Sequence, residues 1–292
     1  MTVHAHPDDE ASKGAATVAR YHAEGVRTVL ICCTGGEEGD ILNPAMDDPA
    51  VRADLPAIRQ RELEASAGII GYDDVVLLGY RDSGMPDTEA NARPDAFANA
   101  PFDEVVGRIV EVIRRERPQV IVTYPEDQGD YRHPDHLRVH DVSVAAFDAA
   151  GDPTRYPGTG EPWAPSKLYY TIWPFERTRA MHAKFLELGL ESPFDDKWLA
   201  RIERDAPTTT SVPLDGYTHV RGDALRAHAT QVDPTSPFWF GLPDEVLESL
   251  YPYDDYFLAK SDVPARPPGG AAEAGKEVPA GEREEDLFAG LR

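Results

Sequence analysis

Two short segments of the chain carry residue types that bind a metal ion and activate water. The first reads His6-Pro7-Asp8-Asp9, and the second reads His133-Pro134-Asp135-His136. Each segment places two potential ligands three residues apart. Imidazole and carboxylate donors together suit zinc, and a catalytic zinc site uses three protein ligands with a position left open for water. The two segments therefore predict a hydrolytic metal site.

Three of these side chains supply the ligand count of a catalytic site, namely His6, Asp9 and His136. A bound zinc ion lowers the pKa of water to about 7, so hydroxide would be available near neutrality. Asp8 cannot point in the same direction as Asp9, so we expect it to lie beside the water and to take its proton. His133 lies one helical turn before His136 and would face the developing oxyanion as an imidazolium or as a neutral N–H donor. We expect Asp135 to hold the orientation of the His133 ring.

Two other interpretations apply to parts of these segments. Proline followed by aspartate at a helix start is also ordinary capping chemistry, because a carboxylate satisfies free N–H groups there. Capping would explain Asp8, Asp9 and Asp135, but it does not explain why a histidine flanks the proline in both segments. His140 lies four residues after His136 on the same helix face, so it is an alternative second imidazole ligand. The residue pattern leaves that choice open.

The elements that must position these residues follow from the hydrophobic pattern. Short apolar runs alternate with longer periodic stretches, as in a parallel sheet covered by helices. After a very short opening strand, the predicted strands are 26–33, 75–78 and 119–124, and the predicted helices are 11–24, 55–70, 102–117 and 136–150. Sites in such sheets form at the carboxyl ends of the strands, where both histidine segments fall. We predict an α/β fold with a Rossmann-like, mostly parallel sheet and flanking helices.

The predicted organisation has three parts. Residues 1–150 form the Rossmann-like core, and residues 151–262 form a less regular C-terminal extension of the same domain that shapes the substrate site. In the extension, 167–173 resembles a strand, and 176–188 and 224–231 resemble helices. Residues 263–292 are rich in Pro, Gly, Ala and charge, which is typical of a flexible tail. Within that tail, the segment Asp286-Leu287-Phe288 is a candidate for docking back.

Composition excludes several classes of partner. The chain has 292 residues, and its 29 Lys and Arg against 52 Asp and Glu give a formal charge of −23. That charge repels nucleic acid and anionic membrane surfaces. No stretch approaches the ~18 apolar residues that a membrane span needs, and no signal peptide opens the chain, so we expect a cytoplasmic protein. The only cysteines, Cys32 and Cys33, are adjacent and predict a buried structural role. A homo-oligomer is compatible with this sequence.

The two histidine segments together resemble the LmbE-like (PIG-L) family of zinc-dependent N-deacetylases, whose members hydrolyse amides on amino sugars. Further segments look like the thiol-conjugate amidases of that family: Thr34-Gly35-Gly36-Glu37, Ile41-Leu42-Asn43-Pro44, Arg81-Asp82-Ser83-Gly84, Ala227-His228-Ala229-Thr230-Gln231 and Asp286-Leu287-Phe288-Ala289-Gly290. The resemblance covers nearly the whole length of the chain.

The resemblance implies a role for each residue of the two segments. One Zn²⁺ ion per chain would be held by His6, Asp9 and His136, with His140 not a ligand; Fe²⁺ suits the same donors. Asp8 would be the general base, and His133 a charged oxyanion stabiliser oriented by Asp135. Tyr131 falls where the family places a mobile tyrosine that helps to polarise the amide carbonyl.

The resemblance also implies a substrate. Arg59 and Asp82 match positions that contact sugar and inositol hydroxyls in relatives, and Glu37 lies in the corresponding loop near the metal. Lys13 is similar to a lysine of the conjugate amidases that the companion deacetylases lack. The implied substrate is a small-molecule thiol conjugate, cleaved at the amide between an N-acylated cysteine and glucosaminyl-inositol, either in detoxification or in biosynthesis. The alternatives are deacetylation of N-acetylglucosaminyl-inositol and, from another class, a non-catalytic zinc protein that binds a sugar conjugate.

Overall fold

A single sheet forms the centre of the molecule. The computed structural model describes residues 1–126, 128, 131–195, 198–199, 208–263 and 278–292. Within these ranges the strands are β1 (Thr2–His4), β2 (Val29–Thr34), β3 (Asp74–Tyr80), β4 (Val120–Thr123), β5 (Lys167–Ile172), β6 (Thr210–Pro213) and β7 (Tyr253–Ser261). Their spatial order is β3-β2-β1-β4-β5-β7-β6, in which β3 to β5 run parallel and β7 is antiparallel to both of its neighbours. The predicted α/β, mostly parallel sheet is confirmed.

Helices cover both faces of the sheet. Their bounds are α1 (Asp9–Ser12), α2 (Ala15–Ala23), α3 (Pro49–Ala53), α4 (Leu55–Ile70), α5 (Phe102–Glu116), α6 (Pro134–Ala150), α7 (Phe175–Glu187), α8 (Thr218–Ala227), α9 (Pro237–Phe240) and α10 (Asp244–Leu250). On one face, Ile109 of α5 and Val139 of α6 pack against Val3 and Ile121 of the strands. On the other face, α1, α2 and α8 form a second apolar cluster. Burial on both faces explains why the central strands read as nearly continuous apolar runs.

The strand order places the two histidine segments side by side. The chain proceeds from β1 outward through β2 and β3, and then returns to the other side of β1 with β4 and β5. β1 and β4 are neighbours, with Thr2 opposite Val122. Because the loops that leave these two strands diverge to opposite sides, a crevice opens between them, and ligands bind at such a point in open α/β sheets.

The region predicted as one helix over 11–24 is two helices, because the chain breaks at Gly14. Gly14 has a φ of +90°, and a Cβ there would lie 2.7 Å from the hydroxyl oxygen of Tyr256. A left-handed backbone in close contact with another element favours glycine. The break turns α1 into a single short turn that holds Asp9 at its start.

The last residues of the chain pack against the sheet. Leu287 is buried, and its N–H donates to the hydroxyl of Tyr21 at 2.8 Å. Glu284 is buried beside Lys167, with 3.2 Å between the ammonium nitrogen and a carboxylate oxygen. Composition predicted a flexible tail over 263–292, but residues 278–292 are packed because their few apolar and charged side chains find buried partners. The remainder of that prediction, 264–277, lies outside the described residues.

Two further predictions concern the cysteines and membrane-spanning helices. Cys32 and Cys33 are buried free thiols on β2, and burial raises the pKa of both. In the part of the chain that the structure describes, no helix is long and apolar enough to cross a membrane.

Candidate active site

The loop after β1 is folded by its own polar groups. The backbone N–H of His6 donates to Asp9 Oδ2 at 3.0 Å, which closes the turn between the strand and α1. Asp8 lies at the crest of this turn with a φ of 107°, a left-handed conformation that few side chains adopt. Consecutive residues of the turn therefore point in different directions, as predicted for Asp8 and Asp9.

The loop after β4 ends in the first turn of α6. His133 is the N-cap residue of this helix, and its Nδ1 accepts the backbone N–H of Asp135 at 3.2 Å. Pro134 occupies the first helical position, where a missing N–H costs nothing. His136 follows on the inner face of the helix and is 3% exposed.

Three donor atoms from these loops form a nearly equilateral triangle. His6 Nδ1 lies 3.5 Å from Asp9 Oδ2 and 3.3 Å from His136 Nε2, and the last two atoms are 3.3 Å apart. Ligands at about 2.0–2.1 Å from a tetrahedral metal ion are separated by about 3.3 Å. The geometry thus fits one metal ion held by the three predicted ligands, all of them buried.

Further hydrogen bonds fix how the two imidazoles face that position. His6 Nε2 lies 3.2 Å from Asp135 Oδ2, so its Nδ1 is the nitrogen left for a metal. His136 Nδ1 lies 3.1 Å from Gln128 Oε1, so its Nε2 is left. A carboxylate or carbonyl oxygen behind a ligating imidazole is the usual way to set its tautomer and orientation.

Tyr124 supports two of the three donors. Its hydroxyl donates to Asp9 Oδ2 at 2.8 Å, and its ring stacks on His136 with 4.6 Å between ring centroids. The same hydroxyl accepts the backbone N–H of Ala5 at 2.8 Å. Tyr124 therefore links the loop after β1 to the loop after β4.

A second group of buried side chains, His6, Asp82, His133 and Asp135, also lies close together. Its carboxylates already have partners: Asp82 Oδ1 accepts the N–H of Gly84 at 2.8 Å, and Asp135 accepts both the N–H and the hydroxyl of Ser83. Asp82 and Asp135 are placed to accept hydrogen bonds from His6. The group that lies beside Asp8 is the triangle of His6, Asp9 and His136. His140 lies outside both groups, because its Nδ1 lies 2.9 Å from the carbonyl oxygen of Tyr124 and its ring contacts Tyr170.

Asp8 has the surroundings of a general base. Its Oδ2 accepts a hydrogen bond from Arg59 at 3.0 Å, and its side chain is 31% exposed, more than the three donors beside it. Burial raises the pKa of the Asp8 carboxyl, and the neighbouring Asp9 carboxylate adds to this, while Arg59 opposes it. A raised carboxyl pKa strengthens the group as a proton acceptor near neutral pH.

His133 is a neutral N–H donor by its geometry. An imidazolium has no lone pair with which its Nδ1 could accept the N–H of Asp135, so the ring proton is on Nε2. Burial lowers the pKa of His133 to about 4, and the neighbouring His6 contributes. The geometry favours the neutral donor over the charged stabiliser that the resemblance implied.

Asp135 contacts the predicted partner, the His133 ring, through its backbone. Its backbone N–H contacts the His133 ring, whereas its carboxylate lies against His6 and Ser83. The contact comes from the backbone because a residue two positions after the N-cap turns its N–H toward the cap, and its side chain is directed elsewhere.

Tyr131 lies at the open side of the site. Its side chain is 55% exposed, and its ring centroid is 5.3 Å from that of His136 and 6.1 Å from that of His133. The prediction placed it near the amide carbonyl, and its position above these two rings is compatible with that role.

The four predicted substrate contacts divide into two pairs. Arg59 and Asp82 are buried, and Arg59 donates to the carbonyl oxygens of Pro7 and Gly36 as well as to Asp8. Lys13 and Glu37 remain partly exposed: Lys13 lies 2.5 Å from Asp9 Oδ1, and Glu37 accepts the N–H of Asp82 at 2.9 Å. Lys13 and Glu37 are thus the two of the four best able to reach a substrate.

Several residues of the site were not singled out from the sequence. They are Glu10, Ser83, Tyr124 and Gln128. Tyr124 ends a predicted strand, Ser83 lies in a segment that carried the resemblance, and Glu10 directly follows Asp9, so each had a positional signal. Glu10 contacts His228, Ser83 contacts Asp135 and Tyr124 contacts Asp9, all far apart in the chain, and no local pattern reveals such contacts.

The chain is similar to known proteins over its whole length. Residues 1–147 match the family model described as PIG-L: GlcNAc-PI de-N-acetylase. The mycothiol S-conjugate amidase of Streptomyces coelicolor is 41% identical over 304 residues, covering 100% of this chain and 97% of that protein. The 1D-myo-inositol 2-acetamido-2-deoxy-alpha-D-glucopyranoside deacetylase of Thermobispora bispora is 40% identical over 313 residues, covering 100% and 98%.

The fold has solved counterparts as well. The N,N'-diacetylchitobiose deacetylase of Pyrococcus horikoshii superposes with a TM-score of 0.61 at 16% identity, covering 88% of this chain and 82% of that one. Sheet, site and relatives define the class: an enzyme that hydrolyses carbon–nitrogen bonds, with a buried histidine and aspartate cluster able to hold a metal ion. The chain belongs to the PIG-L (LmbE-like) family.

Proposed function

We propose that the chain is a zinc-dependent cytoplasmic amidase of mycothiol S-conjugates. It would cleave the amide between the cysteinyl group and glucosamine, and release a mercapturic acid and glucosaminyl-inositol. The observation that carries hydrolysis is the triangle of donor atoms beside Asp8. The relative from Streptomyces coelicolor supports the choice of substrate. The reaction would serve either detoxification or the processing of a conjugated biosynthetic intermediate.

The donor set suits zinc. His6, Asp9 and His136 would hold the ion, and Fe²⁺ is compatible with the same ligands. Bound zinc supplies Lewis acidity at the substrate carbonyl and lowers the pKa of a bound water to about 7.

The protein's own groups account for the proton transfers. The contact of Arg59 with Asp8 Oδ2 leaves Oδ1 as the oxygen to accept the proton of the attacking water. The Nε2–H of His133 and the hydroxyl of Tyr131 donate to the developing oxyanion. The leaving amine takes its proton from Asp8, because a neutral His133 that gave up its Nε2 proton would become an imidazolate.

Deacetylation of N-acetylglucosaminyl-inositol is the second candidate. Three relatives with that name match this chain nearly as closely as the amidase does, at 40% against 41% identity. Lys13 favours the amidase. Its ammonium group pairs with Asp9 and its side chain is 29% exposed, so it can contact an acyl group longer than acetate at the rim of the site.

A substrate panel with metal analysis tests the proposal. The purified protein is given a bimane conjugate of the thiol and, separately, the acetylated pseudodisaccharide, and its bound metal is measured on the same sample. We expect bimane mercapturate release with one zinc ion per chain. Acetate release alone would establish the deacetylase instead. No hydrolysis of either compound by zinc-loaded protein would contradict the proposed function.

A further inference from the structure

A buried pair outside the donor triangle, His228 and Glu10, has no part in the steps above. His228 Nε2 lies 2.6 Å from Glu10 Oε1, both side chains are fully buried, and the hydroxyl of Ser66 donates to the same oxygen at 2.5 Å. The other ring nitrogen, His228 Nδ1, is buried without a hydrogen-bond partner among the residues that the structure describes. The ring of His228 therefore makes its hydrogen bond to Glu10.

The second oxygen of Glu10 reaches the backbone of the general base. Glu10 Oε2 accepts the N–H of Asp8 at 3.0 Å. Asp8 has a φ of 107°, and a non-glycine residue in a sparsely populated backbone region costs about 1–3 kcal/mol unless its surroundings hold it there. Arg59 holds the carboxylate of Asp8, and Glu10 holds its backbone.

The loop that carries His228 is held in place by hydrogen bonds to other elements. His228 follows α8, and the next residues are tied to other elements: Thr230 donates its N–H and its hydroxyl to Glu62 of α4 at 2.8 Å and 2.6 Å. The N–H of Leu42 donates to the Thr230 carbonyl oxygen at 2.9 Å. Because these hydrogen bonds hold the loop in place, they also fix the position of His228 and, through it, that of the Glu10 carboxylate.

We infer that Glu10 and His228 are positioning residues for Asp8, which fix its backbone and so aim its carboxylate at the attacking water. The inference rests on the proposed function for its kinetic consequence. It assigns a role to a histidine that lies 220 positions away in the chain and bonds to Glu10 rather than to a predicted metal ligand.

Three variants separate positioning from stability. His228→Ala removes the donor to Glu10, His228→Gln restores an N–H donor of similar reach, and Thr178→Val removes a buried hydrogen bond between α7 and Trp173, outside this network of contacts. We expect His228→Ala to lower kcat about 10- to 100-fold, as loss of an outer-shell partner does, with KM and bound zinc little changed. His228→Gln should recover part of kcat. Thr178→Val should lower the Tm and leave kcat unchanged.

Amide hydrogen exchange provides a readout that does not need the substrate. In the zinc-loaded full-length protein, the segment around Asp8 should lose protection in His228→Ala and keep it in Thr178→Val. Equal kcat and equal protection in His228→Ala and Thr178→Val would overturn the inference. If the wild type hydrolysed nothing, the proposed function would fail. The exchange comparison would still decide whether Glu10 and His228 position Asp8. If His228→Ala did not fold, His228→Gln and Glu10→Gln would be compared in the same two ways.

Discussion

At the scale of single residues, Asp8 combines a left-handed backbone, a partly exposed carboxylate and a guanidinium partner. Asparagine adopts the same backbone region readily, so Asp8→Asn removes the base with little change of shape. We expect kcat to fall by about 10²- to 10⁴-fold, the range that general bases contribute. The measurement is steady-state turnover of the bimane conjugate together with zinc content.

Metal content is the control for this variant. Because His6, Asp9 and His136 remain, the Asp8→Asn protein should bind one zinc ion as the wild type does. Near-normal turnover in a zinc-loaded Asp8→Asn protein would show that another group takes the proton.

Asp135 acts on the metal site through His6, by the contact between its carboxylate and His6 Nε2. Loss of such a partner lowers metal affinity by about 10- to 100-fold. Asp135→Asn should therefore raise the zinc Kd by that factor, measured by competition with a chelator. Asp141→Asn, which changes an exposed acid of the same helix, is the matched control and should leave the Kd unchanged. Equal affinities in both variants would remove Asp135 from this role.

The identity of the donors was predictable from the sequence, but the partners of those donors were not. The His-Pro-Asp segments predicted His6, Asp9 and one of His136 and His140, because ligand chemistry and spacing are local properties, and the family resemblance selected His136. That Asp135 contacts His6 depends on how β1 and β4 bring separate loops together, whereas Gln128 and His136 belong to the same segment after β4. Buried hydrogen bonds between distant residues have no periodic signature.

At the scale of elements, the loop after β2 supports the site through Gly36. Gly36 has a φ of +67°, and a Cβ there would lie 2.2 Å from Arg59 Nη1. Gly36→Ala should displace Arg59 and release its hold on Asp8, so both the Tm and kcat should fall. Strain and crowding of this kind typically cost about 1–3 kcal/mol.

Gly79 offers a control with the same backbone conformation. Its φ is +69°, and a Cβ there meets nothing within 4 Å. Gly79→Ala should therefore show the backbone cost alone, with a smaller loss of Tm and unchanged kcat. If the two variants behaved alike in kcat, the contact of Gly36 with Arg59 would not matter for the site.

Elements with clear periodicity were predictable, and those with buried charge were not. The helix over 55–70 matches α4, whereas β6 and β7 were absent from the prediction. β7 contains Asp254 and Asp255, both buried, which breaks the apolar pattern of a strand. Their partners, which include Arg221 for Asp254 and Ser211 for Asp255, come from other parts of the chain.

At the scale of the whole molecule, the C-terminal half completes the sheet that carries the site. β5, β7 and β6 extend the sheet beyond β4, and residues 278–292 pack on β5 and α2. This half also contributes His228 to the surroundings of Asp8. Because such a structure should unfold cooperatively, its free energy of unfolding should depend also on buried charges that lie far from the crevice.

Asp255 is such a charge, and it predicts how stability changes with pH. Burial raises the pKa of its carboxyl from 3.8 to about 6, although Ser211 and Arg177 oppose the change. The folded state therefore binds this proton more tightly than the unfolded state, so the contribution of Asp255 to the free energy of unfolding is complete below pH 4 and is lost as the pH rises through 6. Each tenfold change in proton affinity corresponds to about 1.4 kcal/mol, so the loss amounts to about 3 kcal/mol.

Asp255→Asn isolates this contribution, because asparagine stays neutral and can still accept the Ser211 hydroxyl through its side-chain oxygen. Other acids titrate in the same range, so the informative quantity is the difference between the unfolding free energies of variant and wild type, measured by urea denaturation from pH 4 to pH 8. That difference should move in favour of the variant between pH 4 and pH 6 and then level off. Asp223→Asn, at an exposed position of α8, removes a carboxylate from the surface and is the matched control. A flat difference for Asp255→Asn would mean that Asp255 is ionised in the folded protein throughout this range, held by Arg177 more strongly than burial opposes it.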